Sequence, residues 1–130
     1  MNTFSDKKSP LLEDPRFLRA VDLFNQKDWY SSHDFFEEIW HESHGPERIT
    51  IQGILQVAVA QLHLERGNKN GATILYGEGL GRLRMNKSID LGIDLESFCI
   101  SVNQRLSLLQ TGASIDYSPV PSLKIRAAKD

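Results

Sequence analysis

Only one cysteine, Cys99, occurs among the 130 residues, so no disulfide can form within the chain and a cysteine-only metal site is excluded. The lone thiol suits a reducing compartment. No stretch reaches the roughly 18 consecutive apolar residues of a membrane span, and the opening MNTFSDKKSP is polar, without the apolar run of a secretory signal. A cytoplasmic protein is expected, with no membrane partner. Charge of one sign is also lacking: the formal net charge is −2, and the cations are scattered instead of striped. The basic footprint of a nucleic-acid binder is therefore missing, and no nucleic-acid partner is expected. Internal repeats and low-complexity segments are absent too, which leaves a single domain over residues 1–130.

What is present is helical punctuation. Asp14-Pro15 reads as an N-cap acid followed by proline at the first helical position, and Phe17, Val21 and Phe24 follow at helical spacing up to about Asn25–Lys27. Asp28 caps a second helix that Gly45 stops, and Pro46 opens a third that runs to about Arg66. The third helix is apolar on most faces, as the central helix of a bundle must be. After Gly67–Gly71 a fourth helix is expected from Ala72 to about Asn86. Its Gly77, Gly79 and Gly81 each weaken a helix by about 1 kcal/mol relative to alanine, and Gly77 and Gly81 are best used for close helix packing. Asp94 caps a fifth helix bearing Leu95, Phe98, Val102, Leu106 and Leu109. The fold class is thus all-α: an N-terminal arm at 1–13, a five-helix bundle at 14–110, and a C-terminal tail at 111–130. Ser118-Pro119-Val120-Pro121 makes the tail extended, and Ile115, Tyr117 and Val120 can lay it on the bundle.

Two helices carry polar residues along stripes that otherwise face the core. On the second the stripe is His33, Glu37, Trp40 and His44; on the third it is Gln52, Gln56, Val59 and His63. The 4-3-4 spacing keeps each set within one sector of a helix. If the two helices fold back about Gly45, His33 and Glu37 lie opposite Gln56 and Gly53, with Gly53 permitting close approach. His63 then falls roughly 9 Å further along.

These residue types admit several chemistries. His33, Glu37 and His41 are successive i, i+4 neighbours, a spacing that can direct two imidazoles and a carboxylate at one divalent metal ion. Glu38-Ile39-Trp40-His41 supplies one Glu-x-x-His unit, whereas a di-iron bundle needs two with further acids. The more ordinary alternative is a buried hydrogen-bond network in which Glu37 accepts from His33 or from the glutamine amides, so that Glu37→Gln lowers stability by about 1–3 kcal/mol. Cationic His41 and His44 suit a helix C-terminus, and Trp40 suits the core. Gly77-Glu78-Gly79-Leu80-Gly81 lacks the preceding strand of a phosphate loop, and Gly67–Gly71 is better explained as a capped turn than as an anion site. Ser31 and Ser32 diverge from His33 by about 100° per residue, the wrong geometry for a nucleophile and base.

Three segments together carry a family resemblance: HDFFEEIW from His33, IQGILQVAVAQLH from Ile51, and GNKNGA from Gly67. They resemble the domain-of-unknown-function family numbered three hundred and nine. The corresponding positions are His33, Glu37 and Trp40, then Gln52, Gly53, Gln56 and His63, then Gly67, Asn68, Gly71 and Ala72, within a span of about Asp14 to Leu109. The resemblance implies a small helical bundle and no particular activity. The leading functional expectation is a binding or interaction module, in which the His/Glu/Gln cluster receives a small polar ligand or holds the helices in register. The alternatives are a metal-dependent enzyme of hydrolase type using His33 and Glu37, and a structural partner subunit, with self-association left open.

Overall fold

A computed structural model describes residues 10–85 and 90–126. The expected arm before Pro10, the fourth helix's expected end at Asn86, and tail residues 127–130 lie outside the described residues. Among those described, a 3-10 turn at Pro10–Glu13 precedes five helices: α1 (Pro15–Asn25), α2 (Trp29–Glu42), α3 (Gly45–Glu65), α4 (Lys69–Met85) and α5 (Leu95–Thr111). The fold is all-α. No helix among the described residues is long and apolar enough to cross a membrane.

Three carboxylates start helices where the sequence indicates. Asp14 accepts from the Arg16 N–H at 2.9 Å, Asp28 from that of Ser31 at 3.3 Å, and Asp94 from that of Ser97 at 3.1 Å. Each satisfies a backbone donor that the first turn leaves without a helical partner. Two boundaries differ from expectation. α2 ends at Glu42, before Gly45, because Ser43 turns extended, donates its hydroxyl to Ile39 O at 2.8 Å and its N–H to Trp40 O at 3.1 Å. α4 begins at Lys69 rather than Ala72, because Asn68 caps it by accepting from the Gly71 N–H at 2.9 Å.

α3 occupies the centre, packed on α2 and α4; α1 lies on α2, and α5 on α4. This arrangement follows from its nearly all-round apolar surface, with Ile51, Ile54, Val57, Ala58 and Ala60 fully buried. Aromatic edges knit the outer helices to one another. Phe17 meets Phe36 at 6.0 Å between centroids, while Phe24 meets Trp29 at 4.9 Å and Phe98 at 5.6 Å, all edge-on.

The glycines of α4 do not break it, and their use differs from the expected one. A Cβ on Gly53 would lie 2.9 Å from Gly79 O and 2.8 Å from Leu83 Cγ; one on Gly79 would lie 2.8 Å from Gly53 O. Backbone therefore meets backbone where α3 crosses α4. Among the described residues nothing lies within 4 Å of such an atom on Gly77 or Gly81, so neither mediates the packing assigned to it. Gly53 likewise serves the α4 contact and not the α2 contact.

Beyond Gly112 the tail returns across the bundle. Asn25 reads both backbone groups of Leu123, donating to its O and accepting from its N–H, each at 2.7 Å. The Asp94 N–H donates to Lys124 O at 2.8 Å, the Arg126 N–H to Gly92 O at 2.9 Å, and Ile93 bridges Ile125. The anchoring side chains are buried Pro121 and Leu123; Tyr117, expected to hold the tail down, is 97% exposed.

Candidate functional site

Five of the residues singled out in the sequence share one hollow. His33, Glu37 and Trp40 from α2 and Gln52 and Gln56 from α3 line a space of about 190 Å³, completed by Leu55 and Val59. The antiparallel pairing of α2 and α3 brings the two stripes face to face, as the 4-3-4 spacing implies. Their ends do not join. α2 stops at Glu42, so His44 leaves its stripe and becomes the exposed N-cap residue of α3, with no side-chain capping bond. His63 sits in the last turn of α3, its Nδ1 3.2 Å from Asn68 Nδ2, away from the hollow.

The expected buried cross-helix network does not form: Glu37 is exposed, and His33, Gln52 and Gln56 are only half-buried. Glu37 and Gln52 make no hydrogen bond or ion pair among the described residues. His33 approaches its neighbour Asp34 at 3.5 Å, on the solvent side. Gln56 turns to α4 instead, donating to Glu78 Oε1 at 2.9 Å and accepting from Arg82 Nη1 at 3.0 Å. The reason is length: Glu78 and Arg82 stand one helical turn apart beside Gln56, and together they satisfy both ends of its amide.

Trp40 closes one end. The Arg48 guanidinium lies 3.9 Å from the indole centroid, a cation–π contact, and His41 meets the ring edge-on at 5.1 Å. Its Nε1–H is buried with no acceptor among the described residues. His41 itself is exposed. Among the described residues no three His, Cys, Asp or Glu side chains are grouped to hold a metal ion, so His33, Glu37 and His41 do not converge as their spacing suggested.

A second polar assembly went unread in the sequence. Arg105 of α5 is buried, with Nε donating to Ser118 Oγ at 3.2 Å and Nη1 to Gln61 Oε1 at 3.3 Å. The signal was available: Phe98, Val102, Arg105 and Leu109 repeat the 4-3-4 spacing, which places Arg105 on a core stripe. Gln61, amid the apolar run of α3, is the same kind of sign.

The model of the family described as Domain of unknown function (DUF309) matches residues 17–75. The chain resembles that family over α1, α2, α3 and the start of α4. Every residue lining the hollow falls inside the matched span, which is shorter than the Asp14–Leu109 expected; Arg105 and the tail fall outside it. A search of curated proteins gives no match.

Proposed function

We propose that the chain is a binding module whose hollow between α2 and α3 receives a small polar ligand. The observation that supports this reading is the pair of Glu37, exposed, and Gln52, half-buried, which border one concave space and make no hydrogen bond to the described residues. Both can therefore bond a ligand without first breaking a bond within the protein. At about 190 Å³ the space is smaller than the ~300–1,000 Å³ of pockets for drug-sized ligands. The fitting ligand carries a cationic or hydroxyl donor for Glu37 and an amide-complementary group for Gln52, with its apolar part against Leu55, Val59 and the Trp40 ring.

The test is a panel of small amines and polyols followed by the indole N–H resonances of Trp29 and Trp40, the chain's two tryptophans. A ligand in the hollow shifts the Trp40 signal and leaves buried Trp29 unmoved, and Glu37→Gln with Gln52→Leu abolishes the shift while the protein stays folded. Saturating responses that survive both substitutions would place the binding elsewhere and overturn the proposal, as would a panel with no response at millimolar concentration.

A further inference from the structure

We infer that Arg105, Tyr76 and Gln61 form the buried head of a second binding site, specific for a small molecule bearing a carboxylate or phosphate group, entered beneath tail residues 114–119. The starting point is an uncompensated charge. Arg105 is 7% exposed, yet among the described residues no carboxylate lies within ion-pair distance of it; its acceptors are the neutral Ser118 hydroxyl and Gln61 amide. Burial of an ionised group without a counter-charge is strongly unfavourable, and arginine cannot relieve it by losing its proton.

Beside this cation stands a second buried group. Tyr76 of α4 is fully buried, its hydroxyl oxygen turned to the Arg105 guanidinium, and its own proton has no acceptor among the described residues. Burial pushes the phenol up to about 12, against the opposing pull of Arg105, so at neutral pH it keeps its proton. A guanidinium and a phenol O–H brought together are donors that call for one acceptor with several lone pairs. An oxyanion supplies it, and the planar guanidinium fork matches a carboxylate or phosphate edge.

An opening lies on the far side of Ser118. The hollow between α5 and the tail, about 510 Å³, is lined by Asn103, Gln104, Ser107, Ser114, Tyr117 and Ser118 among others, none of them charged. Ser118 is shared: it borders that hollow and its hydroxyl accepts from Arg105 Nε. A ligand whose anionic end displaces the Ser118 hydroxyl neutralises the buried charge, and its neutral body fills the hollow. This site is independent of the hollow between α2 and α3 and shares no residue with it.

Inorganic phosphate and acetate are the probes, added to the whole chain at constant ionic strength against a chloride reference. Phosphate or acetate raises the melting temperature in a saturable way, with direct binding seen by calorimetry. The better of the two identifies which anion the head is built for. Arg105→Met abolishes the effect, Arg105→Lys weakens binding about tenfold through loss of the fork, and Tyr76→Phe weakens it while leaving the fold intact. Equal melting curves in phosphate, acetate and chloride for the wild-type chain overturn the proposal; so does an anion response that persists in Arg105→Lys and Tyr76→Phe at wild-type affinity. Should Arg105→Met fail to fold, the last two variants decide.

Discussion

The two sides of α3 are built on opposite terms. Toward α4 the helix gives up side chains altogether, and Gly53 and Gly79 let the backbones touch, with Gln56 fully engaged by Glu78 and Arg82. Toward α2 it keeps Gln52, opposite Glu37, and leaves both without partners around an open space. One side is committed to packing; the other is held in reserve. The lesson is that polar residues at core-like spacing do not by themselves mean a network, because the neighbouring helix decides which of them are consumed.

The largest effects should fall on the committed side. Gly53→Ala and Gly79→Ala each place a methyl within 3 Å of an opposing carbonyl, and denaturant titration should show a loss of about 1–3 kcal/mol for each. Wild-type stability in either variant would mean that the crossing can spread freely, and the contrast between the two sides would collapse. Gly77→Ala and Gly81→Ala meet none of the described residues, so both should gain about 0.5–1 kcal/mol from helix propensity alone. On the reserved side Glu37→Gln and Gln52→Leu should change stability by less than about 0.5 kcal/mol, as surface substitutions do. A loss of 1–3 kcal/mol on Glu37→Gln would restore the buried network that the geometry denies.

The smallest effect belongs to the ion cluster at the outer edge of α2, around Glu42. Arg16 donates from Nη1 to Glu42 Oε2 and from Nη2 to Glu42 Oε1, each at 2.8 Å, and from Nη2 to Asp14 Oδ2 at 2.8 Å. These hydrogen bonds hold both carboxyls below their ordinary values of 4.5 and 3.8. Groups whose folded values are depressed stabilise the fold above their unfolded values, and that stability is lost as pH falls through the lower folded values. Acid titration from about pH 5 toward pH 2 should therefore show a shallower loss of stability in Arg16→Met than in the wild-type chain. An unchanged profile would reduce the cluster to solvent-exposed charge.

Helix number, the three acidic caps and the sharing of one hollow by His33, Glu37, Trp40, Gln52 and Gln56 were legible because each depends on local spacing. The partners of those residues were not. Gln56 reaches Glu78 and Arg82, and Gly53 meets Gly79, across a helix pair whose register no local pattern encodes. The end of α2 at Ser43 was missed because glycine is the stronger stop signal, although a serine hydroxyl bonded back to Ile39 ends the helix first. Arg105 escaped notice for a related reason. Its charge marks it for the surface, and only the 4-3-4 stripe with Phe98, Val102 and Leu109 says otherwise.

The clasp between Asn25 and Leu123 has a consequence for how the chain finds this shape. Neighbouring helices pair across short turns, a topology that collapses quickly, whereas this clasp closes 98 positions of sequence in one step. Docking of the tail is thus expected after the helices have assembled. Hydrogen exchange should show it: the Leu123 amide, held by a side chain rather than a ladder, is expected to exchange faster than the amides of the α3 core.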